Sequence, residues 1–227
     1  WVQQDDKPWV IGEFVWTGFD YLGEPSPYNE VWPSRSSYFG IIDLAGLPKD
    51  RYYLYRSRWN TEQPTIHLLP HWNWEGREGE VTPVFVYTSY PCAELFVNGI
   101  SQGICTFAES DGSVPCLGEK AMKRFRLMWN EVTYQPGEIK VVAYDAEGNA
   151  VAEKTVRTAG KASAIRLTPD RDVLKADGED LCYLNVSLVD KDGNPVPADN
   201  RLVKVKVSGA GSFKAIANGD PTCLEPF

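Results

Sequence analysis

The first long apolar stretch of the chain, residues 9–16, is almost unbroken. Such a run is typical of a strand buried on both faces of a parallel sheet. A shorter apolar run follows at residues 38–43, and Pro48-Lys49-Asp50 is a helix-start signal before residues 51–59. One strand and one helix cannot bury a core, because unpaired strand edges are unstable in water. Residues 1–61 are therefore predicted to complete a sheet that residues outside this chain supply.

From residue 64 onward the apolar positions alternate with polar ones. Residues 93–97 and 100–105 flank Asn98-Gly99, which predicts a β-hairpin with a tight turn. Further alternating segments lie at residues 81–89, 123–129, 138–144 and 151–158. Short strands at this spacing, without helical segments of similar length between them, predict an immunoglobulin-like β-sandwich over residues 62–160.

A stretch of small residues, 158–164, is typical of a linker. After it, alternation resumes at residues 165–168, 180–189 and 202–208, with a turn at Asp192-Gly193-Asn194-Pro195. Residues 161–227 are fewer than the roughly 100 of a complete immunoglobulin-like domain. The predicted fold class is therefore mainly β: the end of a larger unit, one sandwich, and a second sandwich that is cut short.

Composition narrows the possible partners. The net charge is −8 and the isoelectric point is near 4.9, which opposes the electrostatic attraction that dominates nucleic-acid binding. The charge therefore argues against a nucleic-acid partner. No run of eighteen apolar residues is present, so we expect no membrane partner either. The oligomeric state is not predicted.

Metal and cofactor sites are not expected either. The five cysteines lack C-x-x-C spacing; Cys105 and Cys116 could form a bridge across a loop, although plain buried thiols are the commoner case. His67 and His71 have helical metal-pair spacing, but nearby prolines disfavour a helix there. In residues 190–194 the glycine comes too early for a calcium loop, which favours a hairpin turn.

The most specific motif is Gly12-Glu13-Phe14-Val15-Trp16-Thr17-Gly18-Phe19-Asp20-Tyr21-Leu22-Gly23-Glu24-Pro25. It resembles the eighth strand of the (β/α)8 catalytic barrel of family 2 glycoside hydrolases, in the form found in β-galactosidases. Residues 37–43 and 48–53 are similar to that family's approach to the last barrel helix. Three later segments, 69–74, 94–99 and 134–138, are similar to the sandwich that follows the barrel in many bacterial β-galactosidases. Residues 1–61 are therefore expected to be the C-terminal end of the barrel.

The resemblance implies a retaining mechanism in which one glutamate protonates the leaving oxygen and a second attacks the anomeric carbon. In family order both glutamates precede Trp1, so no catalytic residue is assigned in this chain, which alone is expected to be inactive. Glu13 and Glu24 are not taken as replacements. The missing N-terminal part of the same protein is the expected partner, and a periplasmic or extracellular location follows from the family's usual export.

Two residues are predicted to bind substrate. The resemblance implies that Trp16 forms a flat platform for the sugar at the cleavage point; the alternative is that it fills the barrel core. Asp20 could hydrogen-bond a sugar hydroxyl, although an aspartate in such a turn more often caps local backbone groups. Trp72 and Trp74 could form an accessory platform, or pack against the barrel.

The sequence thus predicts the C-terminal part of a retaining β-galactosidase-like hydrolase acting on a β-galactoside or related carbohydrate. β-Glucuronidases and β-mannosidases belong to the same family, so the sugar stays open. The alternative is a carbohydrate-binding or adhesion module built from immunoglobulin-like domains. A third possibility is that the sandwiches act only as spacers.

Overall fold

The computed structural model describes residues 1–108 and 118–226. In its N-terminal part it has two helices, α1 (Val2–Asp6) and α2 (Asp50–Trp59). α2 begins at Asp50, the last residue of the predicted start signal, and the sequence-based prediction of this helix agrees with the structure. Between the helices the chain is irregular, with a parallel bridge from Phe19 to Ile42 and an antiparallel bridge from Leu22 to Ser36.

The prediction of a strand over residues 9–16 is wrong for the described structure. Residues 10–15 have no regular secondary structure, and the side chains of Ile11 and Phe14 are fully exposed. A doubly buried strand needs a hydrogen-bonded neighbour on each side, and residues 1–108 and 118–226 supply none for this segment. Its apolar sequence is suited to a sheet whose other strands lie outside these residues.

The middle of the chain folds into two antiparallel sheets, one with strand order β1-β2-β5 and one with strand order β4-β3-β6-β7. The strands are β1 (Ile66–Leu69), β2 (Val84–Thr88), β3 (Cys92–Val97), β4 (Ile100–Thr106), β5 (Leu127–Trp129), β6 (Glu138–Tyr144) and β7 (Ala150–Arg157). A short helix, α3 (Glu119–Lys123), precedes β5, so the strand predicted from residue 123 begins four residues late.

The predicted hairpin joins β3 and β4 through Asn98-Gly99. Both residues have positive φ, 48° and 81°, as a tight two-residue turn requires. The Asn98 side chain accepts a hydrogen bond from the Glu138 amide at 2.7 Å and donates one to the Pro136 carbonyl at 3.1 Å. This turn therefore also fixes the connection that leads into β6.

The core lies between the two sheets. Along β3 buried and partly buried positions alternate, which aims every second side chain at the opposite sheet. The buried core residues are Leu68, Trp72, Val84, Val86, Ala93, Leu95, Val97, Leu127, Trp129, Val132, Tyr134, Ile139, Val141 and Ala143. Their burial gives this part of the chain a contiguous apolar core of its own.

Trp72 belongs to that core. Its side chain is fully buried, its indole N–H donates to the Gln135 carbonyl at 2.9 Å, and its ring meets Tyr134 edge-on at 5.0 Å. The hypothesis that Trp72 forms an accessory sugar platform is therefore wrong, because a buried ring cannot contact a glycan. Trp74 is only partly buried and stacks on His71 at 4.2 Å.

The N-terminal segment and the sandwich are joined by aromatic packing and by a charged contact. The Trp1 ring packs against Tyr55 of α2 and against Phe125, which follows α3. Beside it the Arg124 guanidinium forms a bidentate pair with Asp6 at 2.8 and 2.9 Å. Both of these side chains are almost inaccessible, with exposed fractions of 6% and 9%. The contact therefore ties α1 to the sandwich.

The last part of the chain contains a two-stranded antiparallel sheet of β8 (Ala164–Pro169) and β9 (Leu184–Val189). The strand predicted at residues 202–208 is absent, although its apolar positions alternate. Alternation predicts a strand only where a partner edge and a buried face exist, and among the described residues nothing pairs with this segment. The domain boundaries at residues 61 and 160 stay predictions.

Asp190 organises the turn after β9, which is a hairpin-type turn as the sequence indicates. Its carboxylate accepts hydrogen bonds from the Gly160 amide at 2.9 Å, from the Asp192 amide at 2.9 Å and from the Asn194 amide at 2.8 Å. The Gly160 contact, followed by the Asn194 side chain, lowers the pKa of Asp190 to about 2. The ionised carboxylate thus fastens the linker to the last sheet.

We expect Asp190→Asn to lower the free energy of unfolding at pH 7. We also expect the stability of this variant to fall less than that of wild type as the pH is lowered. The folded pKa lies below the ordinary value of 3.8, so the stabilisation is present above about pH 4 and is lost as the pH falls toward 2. Thermal unfolding followed at pH 7, 4 and 2.5 would measure both effects. Asp192→Asn is the matched control, since this carboxylate is exposed and pairs with the adjacent Lys191. Identical pH profiles for wild type and Asp190→Asn would contradict the assignment.

Candidate functional site

Trp16 follows the irregular segment of residues 10–15, and it is 75% exposed. The indole N–H donates to the Tyr21 hydroxyl at 3.2 Å, and the two rings meet edge-on with centroids 6.3 Å apart. The Trp16-Thr17 peptide bond is cis. One edge of the indole is therefore held while much of the ring stays open. This arrangement suits contact with a flat apolar ligand face.

Tyr21 is the hub of the polar contacts beside Trp16. Its hydroxyl donates to the Glu24 carboxylate, and its ring lies edge-on to Phe39 at 5.8 Å. The hydrogen bond to Glu24, followed by partial loss of solvation, raises the pKa of Tyr21. The phenol therefore stays protonated and remains a donor at neutral pH. We call Trp16, Tyr21 and Glu24 the shelf.

The backbone under the shelf is anchored by two serines. The Tyr21 amide donates to the Ser37 hydroxyl at 3.0 Å, and the Tyr21 carbonyl accepts from the Ser37 amide at 3.0 Å. The Ser36 hydroxyl donates to the same carbonyl at 3.2 Å. Both serines are fully buried. Because these contacts join two loops, the position of the shelf depends on residues 35–37 as much as on its own segment.

Asp20, the second residue predicted to bind substrate, is buried with 5% exposure. One carboxylate oxygen accepts the Gly40 amide at 2.8 Å, and the other lies 2.5 Å from the Lys49 ammonium. A Cβ at position 40 would lie 2.2 Å from the Asp20 nitrogen, so this close approach requires glycine. The carboxylate thus ties the loop after Trp16 to the start of α2. Its contact with a sugar stays a prediction.

Lys49 is the residue that sequence reasoning missed here, because it was used only as part of a helix-start signal. Its ammonium also donates to the Tyr38 carbonyl at 3.0 Å. A lysine so placed neutralises Asp20 and fixes the turn before α2. No local pattern connects Lys49 with Asp20, since the two meet only through the fold.

Of the two glutamates of the opening motif, Glu24 accepts a hydrogen bond from Tyr21, and Glu13 is exposed to solvent. The pair of histidines is separated, with His67 bonded to Asp50 at 2.7 Å and His71 stacked on Trp74. Within residues 1–108 and 118–226 no cluster of His, Cys, Asp or Glu side chains could hold a metal ion. The described shelf can bind and orient, but it brings together no acid and nucleophile pair.

The four cysteines that the structure describes add no chemistry to this site. Cys92, Cys105, Cys182 and Cys223 are free and only partly buried. Burial raises the pKa of the Cys105 thiol, which keeps it protonated and unreactive at neutral pH. Cys116 lies outside the described residues, so the predicted alternative of a Cys105–Cys116 bridge is untested. None of the helices in the described part of the chain combines the length and apolarity needed to cross a membrane.

Two family models match the chain. Residues 165–227 match the glycoside hydrolase family 2 C-terminal domain 5, and residues 79–152 match a domain of unknown function, DUF4982. The first match covers the region predicted to be a partial second sandwich. The second lies within the sandwich whose core is described above.

Full-length relatives extend the match over the whole chain. The chain is 46% identical, over 98% of its length, to the β-galactosidase BoGH2A of Bacteroides ovatus, and covers 24% of that protein. It is 33% identical, over 97% of its length, to a putative β-glucuronidase of Formosa agariphila, and covers 20% of it. The chain therefore spans between a fifth and a quarter of these curated relatives.

Solved structures agree with the sequence matches. A β-glycosidase from Bacteroides vulgatus superposes with a TM-score of 0.71 at 36% identity, covering 87% of this chain and 23% of that one. A glycosyl hydrolase family 2 member from Bacteroides cellulosilyticus superposes with a TM-score of 0.67 at 32% identity, covering 86% and 28%. The mainly β fold and the family resemblance are both confirmed. The matches identify this chain as a C-terminal portion of a family 2 glycoside hydrolase.

Proposed function

We propose that the whole protein is a retaining β-galactosidase-like hydrolase and that this chain supplies one wall of its sugar site. The observation that carries the proposal is the Trp16 indole, which is exposed and held at its edge by Tyr21. A pyranose presents an apolar C–H face that packs well on such a ring, while its hydroxyls point sideways. The Tyr21 hydroxyl and the Glu24 carboxylate lie at that side.

Asp20 enters the proposal as a secondary contact. A carboxylate offers about four lone-pair directions, and the structure shows two neighbours for it, Gly40 and Lys49. The remaining directions could accept a sugar hydroxyl, but the group is almost fully buried. We therefore assign the main binding role to Trp16.

The reaction requires two glutamates, an acid and a nucleophile, which we place on barrel strands before Trp1 in family order. The exposed side chains of Trp9, Ile11 and Phe14 support this placement, because they form an apolar surface suited to neighbouring strands. The N-terminal part of the same protein is the proposed occupant. We extend the proposal to export into the periplasm or beyond, which fractionation of source cells would check.

The nature of the sugar needs a direct comparison, because the similar proteins include both β-galactosidases and β-glucuronidases. We favour a β-galactoside because the opening motif has the β-galactosidase form and the 46% identical relative is named as a β-galactosidase. The alternative of a glycan-binding module loses its main support, since Trp72 lies in the sandwich core.

The test is to express the parent protein, including the upstream barrel, with Trp16→Ala or Trp16→Phe. Hydrolysis of nitrophenyl β-galactoside, β-glucuronide and β-mannoside would be compared. We expect Trp16→Ala to lower kcat/KM for the galactoside by roughly 100-fold, equivalent to about 2.7 kcal/mol of transition-state stabilisation. Trp16→Phe, which keeps a flat face, is expected to stay within about tenfold of wild type.

Residues 1–227 alone serve as the blank in this experiment and should show no turnover. An unchanged kcat/KM in Trp16→Ala would contradict the platform. Turnover by the chain alone would contradict the placement of the glutamates. Faster hydrolysis of the glucuronide than of the galactoside would contradict the proposed substrate but would be compatible with the proposed mechanism.

A further inference from the structure

Residues 218–225 form a segment that begins with a compact turn; we call the whole segment the C-terminal turn. The Asp220 amide donates to the Asn218 side chain at 2.9 Å, and the Cys223 amide donates to the Asp220 carbonyl at 3.0 Å. The Asp220 carboxylate accepts the Thr222 amide at 2.8 Å. At the centre of the turn Pro221 is buried. A proline in a free surface tail would be exposed, so this burial marks a docked segment.

The turn docks on the loop that follows Trp16, although it is far away in sequence. The Arg35 amide donates to the Pro221 carbonyl at 3.2 Å, and the Arg35 guanidinium donates to the Glu225 carbonyl at 3.0 Å. Gly219 lies against Asp43, where a Cβ would come within 1.9 Å of a carboxylate oxygen. A side chain at position 219 would force the Asp43 carboxylate, which accepts the Ala45 and Leu47 amides, or the turn itself to shift. The contact therefore depends on close packing of Gly219 against Asp43 as well as on hydrogen bonds.

Arg35 also contacts the segment that carries the shelf. The Arg35 amide is bonded to the turn, and the Arg35 carbonyl accepts a hydrogen bond from the Gly23 amide at 3.0 Å. Gly23 lies between Tyr21 and Glu24, so Arg35 bonds to both the turn and the shelf segment. Leu22 and Ser36 form the adjoining antiparallel bridge. A continuous set of backbone hydrogen bonds thus runs from Pro221 through Arg35 to Gly23.

We propose that the C-terminal turn is a positioning element for the shelf: by holding Arg35 it fixes the segment that carries Tyr21 and Glu24 beside Trp16. The region matched by the family 2 C-terminal domain 5 would then shape the rim of the sugar site, although it contributes no catalytic group. The rim faces the hydroxyls of a bound carbohydrate, so the turn affects how the sugar is oriented. This last step rests on the proposed function, whereas the mechanical link does not.

Gly219→Leu in the 227-residue chain tests the link. The added side chain collides with Asp43 and should displace the turn. Gly211→Leu is the matched control, since position 211 has open space and an ordinary backbone conformation. Hydrogen–deuterium exchange would be measured at the amides of Gly23 and Ser37, which do not themselves touch the turn. Loss of one or two supporting hydrogen bonds corresponds to roughly tenfold faster exchange.

Faster exchange at Gly23 and Ser37 in Gly219→Leu, with wild-type rates in Gly211→Leu, supports the proposal. Unchanged exchange at both amides overturns it, even if the Arg35 amide exchanges faster, because Arg35 loses its own partner. If Gly219→Leu does not fold, Arg35→Ala removes the Arg35 side chain and with it the contact to the Glu225 carbonyl, while the amide of residue 35 can still donate to Pro221. This variant should raise both rates about threefold; no rise there also overturns the proposal. The readout needs no sugar, so failure of the Trp16 platform would be seen separately.

Discussion

Replacing Trp72 with alanine is expected to destabilise the sandwich by about 3–5 kcal/mol, the range for removing a large aromatic side chain from a packed core. The Trp72 side chain is fully buried between the sheets and contacts Tyr134. Its loss would also leave the Gln135 carbonyl without its indole donor. The cavity cannot collapse easily, because strands on both sides fix its walls. Urea unfolding followed by circular dichroism would measure the change.

Trp74→Ala is the control for this substitution. Trp74 is two residues away but only partly buried, with its ring stacked on His71. We expect a loss of about 1–2 kcal/mol, because less apolar area leaves water. Equal destabilisation by the two variants would show that the core is not centred on Trp72.

The second large effect is expected at Arg124. Arg124→Met should destabilise the chain by about 3–5 kcal/mol, because it removes the bidentate guanidinium contact from the Asp6 carboxylate, which lies in a nearly inaccessible position. The Asp5 carboxylate lies 3.6 Å from the guanidinium and is partly exposed. The loss of its contact with Arg124 should cost less stability, because water can replace the contact. Unfolding midpoints and exchange rates in α1 would report the change.

The double variant Arg124→Met with Asp6→Leu separates pairing from burial. If the single variant is damaging because the buried Asp6 charge has lost its guanidinium contact, the double variant should recover most of the lost stability. Lys140→Met is the exposed control, since its pair with Glu153 lies in solvent and should contribute about 0–1 kcal/mol. A double variant as unstable as Arg124→Met would show that the arginine acts by packing and not by charge.

Local signals predicted those elements whose partners are near in sequence. The β3–β4 hairpin, β6, β7 and α2 lie where alternation, an Asn-Gly turn and a helix-start signal indicate them. β1 was not predicted as a strand, because it is short and only partly buried. Residues 9–16 and 202–208 have strand-like sequences without strand structure. Pattern alone cannot supply the neighbouring strands that turn a suitable sequence into a sheet.

One residue of the candidate site, Trp16, was predictable, and the signal was a family motif, whereas local patterns predicted the helix and strands. Trp16 was singled out because a long motif resembles a known family, and the structure places it on the surface beside Tyr21. The Lys49 contact with Asp20 and the Arg35 contact with Pro221 carry no sequence signal. Both are set by how distant segments pack, and hydrogen bonds of this kind have no fixed spacing along a chain.

The unpaired segment of residues 10–15 also bears on how this polypeptide behaves in a test tube. Among the described residues the backbone groups of residues 11–15 have no hydrogen-bond partner, and the side chains of Ile11 and Phe14 beside them are exposed. An apolar segment with unpaired backbone groups is a template on which another strand can add. Purified at high concentration, the polypeptide should self-associate through this segment, and a charged residue in place of Phe14 should keep it monodisperse in light scattering.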